Sequence, residues 1–303
     1  MGNPYHDEEG KFTTKENQGR KALNMLGVQP TKVFRFVKGD IKNSVPQINL
    51  DGSKRVFVAD LPYEQRIKYI ENLRKQDINN PLTDNDNDTM DINTVERQAF
   101  REQTIEDEIN KQKNEGEKNY DRKATVILGI PASGKSTLAQ YLKKQDGAFE
   151  IDSDFFTEKI PEFQEDPTKI SAVHREAGYM SKKMMNEIAK QGGNMIIGKV
   201  GGGLDISYLE DFLNDLQKND YEIELVLNDL PLEEGLKRNR IRHEAGNPRL
   251  VPAMVSIVAD RTVHDNMARL MNHPSVVGGA VYSNDVPQGT PPKLIRTLEK
   301  EDA

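Results

Sequence analysis

Gly129-Ile130-Pro131-Ala132-Ser133-Gly134-Lys135-Ser136-Thr137 constrains this chain more than any other stretch. Its first eight residues fit G-x-x-x-x-G-K-[ST] at every fixed position. Ala124 to Leu128 before it is an apolar run of strand length. Lys135 to Lys144 after it sets Leu138, Tyr141 and Leu142 on one face of a helix. Between a strand and a helix, the glycines let backbone N–H groups curl around phosphates, and the helix N-terminus adds partial positive charge. Lys135 can then reach the β- and γ-phosphates of ATP, and Ser136 can ligate Mg²⁺. The sequence therefore predicts a nucleotide-phosphate site from Gly129 to Thr137.

The surrounding pattern predicts an α/β fold. Short apolar runs at Phe149–Ile151, Met195–Ile197, Ile223–Leu227 and Ser275–Tyr282 read as strands. Between them Val173–Lys190, Ile206–Leu216, Leu232–Glu244 and Pro252–Asn272 read as helices. Such alternation gives a parallel sheet covered by helices on both faces. Asn93 to Asn119 is charged and helical in composition, with Val95, Phe100, Ile105 and Ile109 as anchors.

The residues before it form a small mixed extension. It holds a strand at Lys32–Val37, an Asp51-Gly52 hairpin signal, a helix at Leu61–Lys75 and a polar linker over 77–92. Asp84, Asp86 and Asp88 alternate as in a calcium loop. Thr89 and Val95 stand where Gly and Glu are needed, so the EF-hand pattern fails. The domains expected are an extension over 1–92, a P-loop kinase core over 93–285 and a loosely held tail over 286–303.

Two further sets carry chemistry. Asp152 and Asp154 end the second predicted core strand, and open parallel sheets bind ligands beyond the carboxyl ends of their strands. Asp154 is the candidate base for the attacking hydroxyl, with Asp152 beside the metal. One aspartate can also cap the helix starting near Phe155. Arg238 and Arg242 share a helix face, and Arg249 follows in a loop. Forked, permanently charged guanidinium groups suit a transferring phosphate, so Arg242 and Arg249 join Lys135 and Asp154 as catalytic candidates.

Composition narrows the setting. Apolar residues are 35% and charged residues 30%, low and high for one compact globule. The net charge of -7 argues against binding nucleic acid through whole-chain charge, so only a local basic patch could bind it. With no cysteine there are no disulfides or thiolate metal sites, which fits a reducing cytoplasm. The N-terminus lacks the apolar stretch of a secretory signal. No apolar run reaches the roughly 18 residues that suggest a membrane span. The five histidines show no metal-ligand spacing and are expected to be structural or exposed.

Together, Gly129–Thr137, Ile151-Asp152-Ser153-Asp154-Phe155, Gln191–Ile197 and Arg242 with Asn247–Pro252 resemble the zeta toxins, over residues 93 to 285. That family phosphorylates UDP-N-acetylsugars at the sugar 3′-hydroxyl with ATP and Mg²⁺. The resemblance implies Lys135 on the phosphates, Asp154 as base, Arg242 and Arg249 at the transferring phosphate, a UDP-sugar acceptor and an antitoxin partner.

Two departures stand out. The family's acidic sugar-contacting residue falls within Tyr179–Lys183, which has no carboxylate; Glu176 and Glu187 lie a turn or more away. Its acidic-Gly-Thr run is replaced by Gly198-Lys199-Val200-Gly201-Gly202-Gly203. Lys182, Lys183 and Lys199 therefore suggest a more anionic acceptor. Asn3 to Phe12 resembles a signature of phage-encoded, virion-associated enzymes and implies a virion partner. Two alternatives stay open: a kinase of nucleic-acid ends or another metabolite, served by a basic groove at those lysines, and a virion-associated protein with a relict nucleotide fold. Residues 1–92 are expected to be dispensable for transfer.

Overall fold

The computed structural model describes residues 88–203, 205–245, 251–287 and 290–299, with 34–35, 54–55, 61–62, 64–65 and 68. The Asp51-Gly52 hairpin, the Asn3–Phe12 segment and Arg249 lie outside the described residues. So does most of the Leu61–Lys75 helix.

The strands are β1 (Phe34–Arg35), β2 (Lys123–Leu128), β3 (Phe149–Ile151), β4 (Met195–Lys199), β5 (Glu222–Asp229), β6 (Val276–Ser283) and β7 (Lys293–Glu299). They form one sheet in the order β1-β7-β6-β5-β2-β4-β3. Every pairing is parallel except β6 with β7. The longer helices are α1 (Val95–Asn114), α2 (Lys135–Asp146), α5 (Ile170–Gln191), α6 (Ser207–Gln217), α7 (Leu232–Glu244) and α8 (Ala253–Leu270). Two short ones, α3 (Asp154–Thr157) and α4 (Pro161–Glu165), follow β3.

Strand β2 is buried along its whole length and shows why the sheet needs helices on both faces. Val126 and Leu128 join the large core with residues of α1, α5, α6 and α8. Ile127 between them points the other way, onto Leu138, Ala139 and Leu142 of α2. Each such aliphatic side chain contributes roughly 1.5–3 kcal/mol when buried.

Helix α1 is held differently. Ile105 and Ile109 enter the core and Phe100 packs against it, but Val95 is 79% exposed and anchors nothing. Most of its buried positions are polar: Arg101, Thr104, Glu108 and Gln112. The Gln112 amide donates to the Glu150 carbonyl at 2.9 Å, and its oxygen accepts from the Glu150 N–H at 2.8 Å. That side chain stands in for a further strand and closes the edge of β3.

Two expectations need correction. The stretch after Pro287 is not a loose tail throughout. Lys293–Glu299 pairs antiparallel with β6 and parallel with β1, and buries Leu294 and Leu298. The polar stretch over 77–92 is not linker at its end. Thr89–Asp91 forms a 3-10 turn capped by Asp88, and Arg175 of α5 bonds Asp88 at 2.7 Å.

Candidate active site

The carboxyl ends of β2, β3 and β4 deliver the candidate residues to one edge of the sheet, as parallel topology requires. Strand β2 runs into Gly129 and the phosphate loop. Gly134 closes the loop as the cap of α2 with φ +83°. A Cβ there would lie 2.0 Å from the Asn284 amide nitrogen, so conformation and space both require glycine. At Gly129 a Cβ would meet Ser133 Oγ at 2.6 Å and the Asn228 carbonyl at 2.7 Å. Two asparagines brace the loop from outside. Asn228 Nδ2 donates to the Ser133 carbonyl at 2.8 Å, and Asn284 Nδ2 donates to the same oxygen.

Lys135 folds its ammonium back onto the loop, donating to the Gly129 and Ile130 carbonyls at 3.1 and 2.9 Å. Burial pushes its pKa down to about 8, against the charges of Asp152 and Asp154, which raise it; Arg242 adds to the lowering. Lys135, Asp152, Asp154 and Arg242 therefore share one electrostatic neighbourhood.

Within it the two aspartates differ. Asp152 Oδ1 accepts the Asp154 backbone N–H at 2.9 Å, so Asp152, one residue before the N-cap Ser153, holds the first N–H of α3. Asp154 is exposed on the first turn of α3. Ser136 and Thr137 are exposed at the start of α2. Ser136 offers a hydroxyl and Asp152 a half-buried carboxylate, ligand types that Mg²⁺ takes in small number while keeping several waters.

The arginines separate too. Arg238 bonds Glu234 at 3.1 Å and donates to the Asn284 carbonyl at 2.9 Å, pinning the end of β6 to α7. Arg242, one turn on, is exposed and near enough for its charge to reach Lys135.

The stretch where the acceptor was expected is held by ion pairs. Glu176 has a fully buried side chain between Arg97 and Arg101, both within 2.8 Å. Burial pushes its pKa up, but hydrogen bonds from Arg97, Thr89 and Arg101 outweigh this and hold the carboxyl below its usual range. It is a structural clamp between α1 and α5. Lys182 pairs with Asp215 at 3.1 Å and lines a surface groove of about 450 Å³ between α5 and α6. Lys183 lies 3.8 Å from Glu102.

Lys199 is the lysine that stays with the site. It ends β4 opposite Leu128, its ammonium lies 5.0 Å from the Phe212 ring centre, and burial lowers its pKa while Asp152 raises it. The glycines after it serve packing. A Cβ on Gly202 would lie 2.1 Å from the Ala259 Cα, and one on Gly201 2.8 Å from Leu128 Cβ, so the turn lies flush against α8. Asn266 locks it by donating to the Gly201 and Gly203 carbonyls.

The family model described as zeta toxin matches residues 106–286. No curated protein matches the sequence. Among solved structures, one of the PezAT chromosomal toxin-antitoxin system of Streptococcus pneumoniae superposes with a TM-score of 0.52 at 20% identity. It covers 62% of this chain and 78% of that one, a likeness of fold. The AvrRxo1-ORF1:-ORF2 structure with ATP has a TM-score of 0.48 at 15% identity, covering 78% and 73%. Deoxyadenosine kinase from M. mycoides with bound dATP has a TM-score of 0.33 at 15% identity, covering 54% and 91%.

Proposed function

Because this chain belongs to the zeta toxin family and carries a P-loop kinase fold, we propose that it transfers the γ-phosphate of ATP to a hydroxyl of a UDP-N-acetylsugar. Family and fold make it a kinase-type phosphotransferase; the acceptor and the residue roles are our reading. The observation that carries it is the gathering of Lys135, Asp152, Asp154 and Arg242 around the phosphate loop.

In this reading Lys135 leaves the Gly129 and Ile130 carbonyls for the β- and γ-phosphates. Asp154 takes the proton of the attacking hydroxyl. Arg242 and Arg249 meet the charge that spreads over the transferring group. Ser136 and Asp152 would hold Mg²⁺, which supplies charge neutralisation when bound. The kinase domain is proposed to span 93–285, with strand β7 beyond it completing the sheet. A neutralising antitoxin is the proposed partner and the cytoplasm the proposed location. Among the described residues no helix is long and apolar enough to cross a membrane.

The acceptor is tested by incubating the chain with γ-labelled ATP and a panel of UDP-N-acetylsugars, nucleosides and 5′-hydroxyl oligonucleotides. Label is expected in a UDP-sugar; label confined to oligonucleotides would sink the reading. For the nucleic-acid alternative, two of the three lysines it invoked lie beside carboxylates, Lys182 by Asp215 and Lys183 by Glu102.

Lys199 beside Asp152 favours an acceptor phosphate. Lys199→Glu is expected to raise KM for the acceptor about tenfold or more, as loss of a hydrogen bond to a charged group does, and KM for ATP much less. Unchanged constants would make Lys199 a bystander.

A pH effect follows from Lys135, whose protonated form binds phosphate. With a free-enzyme pKa near 8, kcat/KM for ATP is expected to fall as pH rises through that value. Bound phosphates favour the charged amine, so kcat should hold to higher pH. Lys135→Arg, if active, should lose the alkaline limb, because guanidinium stays protonated. A kcat/KM profile flat to pH 10 in the parent would contradict this.

A further inference from the structure

We infer that Arg55 is a positioning residue for the phosphate loop, acting through Asp229 across 174 positions of sequence. The inference rests on the reading of Gly129–Thr137 as the nucleotide site. Arg55 grips Asp229 with both terminal nitrogens, Nη2 to Oδ1 at 3.0 Å and Nη1 to Oδ2. His264 Nε2 lies 3.2 Å from the same Oδ1. The three residues are 5%, 3% and 5% exposed. Burial pushes the Asp229 pKa up, but the His264 hydrogen bond and the charge and hydrogen bonds of Arg55 outweigh it and keep the carboxyl ionised.

Asp229 is the hub of the loop's bracing. It ends β5 directly after Asn228, and its carbonyl accepts the Asn284 backbone N–H at 2.9 Å. Those two asparagines are the ones whose amides hold the Ser133 carbonyl. A shift of the strand end therefore moves both brackets, and the Gly134–Asn284 contact leaves no slack to absorb it. A buried carboxylate without its cation forces such a shift or a proton uptake. Arg55 thus reaches a buried carboxylate of the kinase core from the segment expected to be dispensable, and on this inference that segment is needed for full ATP binding.

The test uses the full chain with Arg55→Met, Arg55→Lys, Asp229→Asn and the Arg55→Met/Asp229→Asn double variant. Kd for ATP with Mg²⁺ is measured by calorimetry, well below each variant's melting temperature. Arg55→Met is expected to weaken ATP binding about tenfold or more. Arg55→Lys, which keeps the charge but loses the fork, should weaken it less. The double variant, with the stranded charge removed, should return Kd to within about threefold of the parent. Should Arg55→Met not fold, Arg55→Lys and the double variant decide. The inference is overturned if the single variants keep the parent's Kd, or if the double variant is no better than Arg55→Met. A parent that fails to bind ATP would overturn the loop assignment itself, and the inference with it.

Discussion

Lys135→Ala is expected to abolish phosphoryl transfer, with a loss of about 10³-fold or more in kcat/KM for ATP. Removing one preorganised group at developing charge costs about 10²–10³. Here the same ammonium also ties the Gly129 and Ile130 carbonyls together, so the loop itself loosens. The variant should fold, because α2 is anchored by Leu138, Ala139 and Leu142 on the sheet. Steady-state turnover of labelled ATP measures the effect. Turnover equal to the parent's would remove the site from Gly129–Thr137.

The second large effect is expected at Asp154. Asp154→Asn should slow the chemical step about 10²-fold or more, the range for a positioned acid–base group, while ATP binding survives. Binding should survive because Asp154 is exposed, and its backbone N–H rather than its carboxylate bonds Asp152. Single-turnover kinetics with saturating acceptor separates the steps. An active Asp154→Asn beside a dead Asp152→Asn would exchange the two roles.

How far such roles could be read beforehand depended on the range of the interaction. The phosphate loop, the flanking strand and the α2 face are local, and local spacing describes them. Strand β7 left a weaker signal. Leu294 and Leu298 stand four positions apart with three partly exposed residues between them, behind a stretch rich in Pro and Gly, so no strict alternation announced a strand. The packing role of Gly201 and Gly202 was not legible, because nothing nearby in sequence announces that Ala259 will press against Gly202.

The lysines show the same limit. Spacing put Lys182 and Lys183 on a helix, but only the fold supplies Asp215 and Glu102. Glu176 was noticed as a carboxylate near the acceptor helix, whereas its capture by Arg97 and Arg101 depends on how α1 crosses α5. Asn228 and Asp229 carried a legible hint, a polar pair ending an apolar strand. Arg55 carried none, since its partner is 174 positions away.

The central claim, ATP-dependent phosphorylation of a UDP-N-acetylsugar, is tested most directly by phosphorus NMR. The parent chain is mixed with ATP, Mg²⁺ and UDP-N-acetylglucosamine. ADP and a new sugar phosphomonoester resonance are expected in equal amounts, and neither should grow with Lys135→Ala. ADP with inorganic phosphate alone, or a UDP-sugar that stays unmodified while another acceptor takes the phosphate, would contradict the account.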